Sequence, residues 1–185
     1  MADSEVSASP SAGRWRPLIL VAHRWLGLAS SIVLSIVGLT GAILAWPWSG
    51  WLRRPADRLH DSLALGRMGW RVVVIVTALA VLVQLTGLML WWRRKSLRVN
   101  GRFGLGRAVS DLHHAIGAIA LVLMLVTSAS AVGRAVVRGP WRPVISQWHT
   151  TTGFPAPVKI LFALGSLGFA VQSATGVVMW WRQRR

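Results

Sequence analysis

Four apolar stretches, at about Leu18–Trp46, Trp70–Trp92, Leu112–Val137 and Val158–Trp181, constrain this chain more than any other feature. A helix rises about 1.5 Å per residue and the hydrocarbon core of a bilayer is about 30 Å thick, so about twenty residues suffice to cross it. All four stretches are long enough. Lipid provides no partner for an open sheet edge, so each is expected to be a helix rather than a strand. The expected fold is therefore all-α: a polytopic membrane protein with a four-helix transmembrane bundle over residues 18–185. Residues 1–17 are polar and rich in Ser and Ala, and read as a disordered tail. The first apolar run is too long for a signal-peptide core and lacks a small-residue cleavage site, so it is expected to remain as a helix.

Composition narrows the function. The chain is 54% hydrophobic and 14% charged, too apolar for a soluble domain of 185 residues. The net charge of +16 sits in short clusters between the apolar runs, where basic residues meet lipid headgroups, so nucleic acid is not an expected partner. Cysteine is absent, which excludes disulfides, thiolate metal sites and cysteine catalysis. Beyond the tail the only acidic residues are Asp57, Asp61 and Asp111, too few for paired-carboxylate hydrolysis and poorly suited to ion-coupled transport. Basic residues also set the expected orientation. With both ends inside, twelve Lys and Arg fall on the inner side and nine on the outer. The compact Arg93-Arg94-Lys95 and Arg182 to Arg185 clusters, each directly after a Trp-Trp pair, reinforce that choice.

The chain also aligns with itself. Thr86-Gly87 and Trp91-Trp92-Arg93 match Thr175-Gly176 and Trp180-Trp181-Arg182 at a shift of 89, and His23 matches His113 at a shift of 90. His60 falls on His149, again at 89. Repeat 1 spans about residues 18–95 and repeat 2 about 108–185. Two hairpins of the same topology are expected to be related by a pseudo-twofold axis along the membrane normal. Such an axis pairs His23 with His113 near the inner face and His60 with His149 near the outer face. Paired imidazoles across an axis are the arrangement that two axial ligands of a haem iron require, and a bundle core offers an apolar slot for the macrocycle.

Each candidate has a plainer reading beside it. A single histidine near a membrane interface is usually an interfacial polar residue; four in repeat register argue against that. Gly27 and Gly117 follow His23 and His113 by one turn and are expected to leave room for a flat macrocycle. Most arginines are headgroup contacts, but Arg53 and its repeat mate Arg142 are candidates for pairing with haem propionates. His114 takes the place of Arg24 and reads as a non-ligand. The Trp-Trp pairs read as interface anchors, and Met89, Met124 and Met179 as packing.

Several segments together resemble the PepSY-associated transmembrane family of bacterial inner-membrane proteins. They are His23-Arg24-Trp25-Leu26-Gly27-Leu28 with Leu39-Thr40-Gly41, and Leu59-His60-Asp61-Ser62-Leu63 with Gly66 and Gly69. Asp111-Leu112-His113 with Gly117, and Trp148-His149-Thr150 with Gly153-Phe154-Pro155, complete the set. The resemblance covers nearly everything after residue 14. It implies a haem b protein with His23, His60, His113 and His149 at the haem-ligand positions, and reduction of ferric siderophores at the periplasmic face. Larger members carry soluble PepSY domains in their outer loops; here those loops span about 23 residues (Pro47–Gly69) and 20 (Arg138–Pro157), as in a short form without them.

The leading expectation is a di-haem b redox protein of the inner membrane, with two haems, moving electrons from a quinol or cytoplasmic reductase to an outer ferric chelate or siderophore. The alternative is a non-enzymatic membrane anchor or regulatory subunit with structural or metal-binding histidines.

Overall fold

The computed structural model describes residues 15–92 and 104–184, and among them every regular element is helical. The tail before Trp15 and the basic cluster at Arg93-Arg94-Lys95 lie outside the described residues. Helix α1 runs Trp15–Ala45, and a 3-10 turn at Gly50–Leu52 leads into the short α2, Arg53–Ser62. Helix α3 runs Gly66–Trp92, α4 Leu105–Ile119, α5 Leu121–Val136, α6 Trp141–Thr150 and α7 Ala156–Arg182. Helices α1, α3 and α7 are long and apolar enough to cross a membrane, and the α4–α5 pair, bent between its two helices, makes a fourth when the two are taken as one span. The chain is a polytopic helical membrane protein.

The third span is not the single helix expected over Leu112–Val137. It bends by 65° between α4 and α5, at Ala120. No proline or glycine occupies the bend. The Gln172 side chain of α7 donates Nε2–H to the His113 carbonyl at 2.7 Å, the acceptor that a regular helix reserves for the Gly117 amide. A side chain entering the i to i−4 ladder is a recognised cause of a kink, and this one enters one turn before the break.

The connections expected as outer loops, Pro47–Gly69 and Arg138–Pro157, are more ordered than loops, since each contains a ten-residue helix. Both carry an Arg-Pro pair in the first turn, where the missing proline N–H leaves no broken bond. Both end on a left-handed residue, Leu63 at φ 51° and Thr151 at φ 54°.

Burial is inverted relative to a soluble bundle. The buried set is small and polar: Ser30, Ser31, Thr40, Thr77, Gln84, Ser128 and Thr175, beside Leu34, Ala80, Met124 and Ala163. Large apolar side chains such as Ile32, Ile75, Ile119 and Val122 point outward. Lipid solvates them as well as a core would, so close packing between small residues and interhelical hydrogen bonds must hold the helices together. Helix α1 packs along α7 and α3, α3 along α5, and α5 along α7, closing a ring. Gly38 marks the tightest crossing: a Cβ there would lie 2.8 Å from the Ser166 carbonyl oxygen and 2.9 Å from the Ala170 nitrogen of α7.

Candidate functional site: two facing histidine pairs

The ring brings four histidines together in twos. The centroids of His23 and His113 lie 6.4 Å apart with their planes at 81°. Those of His60 and His149 lie 5.9 Å apart at 34°. One partner of each pair comes from the first hairpin and one from the second. On α1, His23 and Val37, the residue beside His60, are fourteen positions apart, which separates the pairs by about 21 Å along the bundle.

The same local device holds all four rings. His23 Nδ1 is 3.0 Å from the Val83 carbonyl and 3.1 Å from Thr86 Oγ1 on α3. His60 Nδ1 is 3.0 Å from the Val37 carbonyl and 3.2 Å from Thr40 Oγ1 on α1. His149 Nδ1 is 3.1 Å from the Thr127 carbonyl and 3.5 Å from Ser130 Oγ on α5. His113 Nδ1 is 2.9 Å from Thr175 Oγ1 on α7, with the Gln172 backbone as a second partner. Each hydroxyl donates its own proton one turn back: Thr86 to Leu82 at 2.9 Å, Thr40 to Ile36 at 2.7 Å, Thr175 to Val171 at 2.7 Å and Ser130 to Val126 at 2.6 Å. A hydroxyl whose proton is committed can only accept, and a carbonyl can only accept, so Nδ1 must carry the ring proton. Nε2 is then the unprotonated nitrogen, with a lone pair, in every ring.

Glycines let the rings settle this close. A Cβ at Gly41 would meet His60 Cε1 at 3.0 Å, one at Gly87 would meet His23 Cε1 at 3.1 Å, and one at Gly176 would meet His113 Cε1 at 3.6 Å. Three of the four cradles are thus Thr-Gly dipeptides: Thr40-Gly41, Thr86-Gly87 and Thr175-Gly176. Gly27 and Gly117 have other neighbours. A Cβ on Gly27 would reach only Val83 Cγ1 at 4.0 Å, and one on Gly117 would meet the Gln172 amide nitrogen at 2.5 Å.

A cavity of about 480 Å³ has His60 and His149 in its wall, within the roughly 300–1,000 Å³ typical of small-molecule sites. It reaches from Leu34 and Thr77 in the buried interior to the exposed Arg53, Arg138 and Arg142. Arg53 donates Nη1–H to the Leu44 carbonyl at 3.0 Å. Arg134 also lines the cavity, and its charge acts on both histidines. Burial lowers the pKa of His60 below its ordinary value and pushes His149 down to about 4, so both rings are neutral near pH 7. At the other pair, His114 stands edge-on to His113 at 6.1 Å. The side-chain Oε1 of Gln172 and Arg24 Nε are buried without a partner among the described residues.

Among the described residues no cluster of three or more His, Cys, Asp or Glu could hold a metal ion. Each pair supplies two nitrogen donors and nothing more, which leaves a bare ion short of the four ligands that structural metal sites favour. The arrangement suits a metal that arrives with its own equatorial donors.

Spans that enclose two facing histidine pairs define a class: a multi-pass helical membrane protein with its polar chemistry inside the bundle. The chain belongs to the PepSY-associated TM family, whose model for the PepSY-associated TM region matches residues 46–142, more than half its length. The matched segment includes His60, His113, Arg53 and Arg142; His23 and His149 flank it. No curated protein and no solved structure matches the chain.

Proposed function

We propose that this chain is a di-haem b redox protein of the bacterial inner membrane, with one haem iron between His23 and His113 and another between His60 and His149. The observation that carries the reading is the shared tautomer: four imidazoles pinned through Nδ1, in two facing pairs, each with an unprotonated Nε2. An iron held between two ring nitrogens, with bonds of about 2 Å and each nitrogen about 1.1 Å from its ring centre, would set the centroids about 6.2 Å apart. The observed 6.4 and 5.9 Å fit that spacing. Bound in this way, haem supplies one-electron chemistry whose potential depends on ligands, burial and nearby charge.

The rest is the work of the protein. Carbonyl and hydroxyl acceptors orient each ring and make Nε2 more basic, as partners of metal-bound histidine do. Helices α1 and α4 carry the rings of the inner pair, and α3 and α7 hold them in place. Arg53 and Arg142, with Arg134 and Arg138, offer guanidinium groups to carboxylates at the cavity mouth. With both termini on the cytoplasmic side, that mouth faces the periplasm. A quinol or a cytoplasmic reductase feeds the inner site, and a ferric chelate or siderophore accepts electrons at the outer one.

The first test is the spectrum of protein purified from a haem-replete host. Two haems per chain with six-coordinate, low-spin spectra are expected. The two electron paramagnetic resonance signals should differ, because crossed rings at the inner pair and more parallel rings at the outer pair split the iron orbitals differently. Protein isolated without haem would reject the proposal in favour of an anchoring or regulatory subunit. Within the same samples, Arg134→Gln should lower the midpoint potential of the outer haem by tens of millivolts, since a nearby cation disfavours the more positive ferric state. The inner potential should hold. A redox titration showing an upward or equal shift at both sites would remove Arg134 from this role.

A further inference from the structure

One buried polar contact is not used by either histidine pair. Gln84 on α3 is 7% exposed and Ser128 on α5 is 2% exposed. Gln84 donates Nε2–H to Ser128 Oγ at 3.2 Å. Ser128 in turn gives its own proton to the Met124 carbonyl at 2.7 Å, so it acts toward Gln84 as an acceptor. An amide and a hydroxyl withdrawn from water in the middle of a membrane bundle are expensive unless paired, and each is the other's partner across the α3–α5 contact.

Their position in the chain gives the contact its meaning. Gln84 follows Val83, whose carbonyl receives His23 Nδ1–H. Ser128 follows Thr127, whose carbonyl receives His149 Nδ1–H. One ring belongs to the inner pair and the other to the outer. A continuous series of short contacts therefore runs His23 to Val83, Gln84 to Ser128, and Thr127 to His149. Nothing equivalent exists in the other half of the repeat: the positions matching Gln84 and Ser128 are Ser173 and Gly38.

We infer that Gln84 and Ser128 are positioning residues shared by both sites, and that their hydrogen bond fixes α3 against α5 so that the Val83 and Thr127 carbonyls are presented to His23 and His149 together. The orientation of an axial ring at one pair then depends on the other. This rests on the haem reading above, and its test separates the two.

Haem-free protein in detergent is titrated with haemin, following the Soret band and the low-spin resonance signals of each site. The unsubstituted protein should take up two haemins. Gln84→Leu and Ser128→Ala should each weaken both sites by about three- to twentyfold, the range for losing one interhelical hydrogen bond in a membrane. Each should also move both resonance signals, which report ring orientation and which looser packing elsewhere would leave in place. The exchanged pair, Gln84→Ser with Ser128→Gln, restores the hydrogen bond and should bring both signals back, so a single variant that folds poorly does not decide the matter. If Gln84→Leu alters only the inner signal and Ser128→Ala only the outer, or if neither alters any signal, the sites are independent and the inference fails while the haem reading stands. If the unsubstituted protein binds no haemin, both fall.

Discussion

If the proposed di-haem reading holds, replacing His60 or His149 by Ala will remove one haem of the two and abolish oxidation of the protein by a bulky, membrane-impermeant ferric chelate. Both rings stand in the wall of the cavity whose rim includes the exposed Arg53, Arg138 and Arg142, so the group between them is the one a soluble acceptor can approach. His23 lies in the membrane-spanning α1 and His113 in the bent α4–α5 pair, and neither lines that cavity. Replacing either should also cost one haem, yet leave the outer one reactive toward the chelate after chemical reduction, while cutting it off from the physiological donor. Haem content by pyridine haemochrome and stopped-flow oxidation in sealed vesicles read the two effects separately. Loss of chelate reactivity in all four variants alike, or its retention in all four, would overturn the assigned direction of electron flow. Reactivity only when the chelate is on the cytoplasmic side would reverse the orientation.

The second large effect concerns packing. Gly38→Leu should prevent assembly of the bundle. A side chain at this position meets backbone, the Ser166 carbonyl oxygen at 2.8 Å and the Ala170 nitrogen at 2.9 Å, with Phe169 Cβ also at 2.9 Å. Backbone cannot rotate aside as a flexible side chain can, so α1 and α7 must separate. That pair forms the most extensive helix contact among the described residues. Even Gly38→Ala should cost about 1–3 kcal/mol, the usual range for overpacking. Size-exclusion profiles and thermal stability in detergent check this. Gly27→Ala is the matched control, because its Cβ would find an ordinary 4.0 Å contact with Val83. Full haem content in Gly27→Ala would show that the bound group does not need that glycine; a stable, monodisperse Gly38→Leu protein would refute the account of the α1–α7 crossing.

The fold was largely legible because lipid leaves few choices: long apolar runs in a bilayer must be helices. The family was legible from the histidine, Thr-Gly and Leu-His-Asp segments, and the matched region covers more than half of the chain. What escaped was short-range or one-sided. Helices α2 and α6 are polar and only ten residues long, so hydropathy passed over them, although Arg-Pro at the start of each is a helix-initiating signal. No local pattern announces the bend at Ala120, and the Gln172 amide that meets the His113 carbonyl one turn before it lies fifty-two positions beyond the bend in sequence. The Thr-Gly dipeptides served as markers of the repeat, while their work as acceptors and seats for the imidazoles needed coordinates to see. Arg134 and Gln84 carried no signal at all, because a lone arginine or glutamine in an apolar run has many plainer explanations.

In every case the cradle lies in the same hairpin as the ring it holds: His23 rests on α3, His60 on α1, His113 on α7 and His149 on α5. Each half of the chain thus prepares one complete ligand for the inner site and one for the outer without help from the other half. A metal centre held as proposed would be a seam. Its formation would close the two halves on each other at both ends of the bundle, so the bound group would serve as the clasp of the fold, and a single hairpin meeting a copy of itself would already own every ligand that two such centres require.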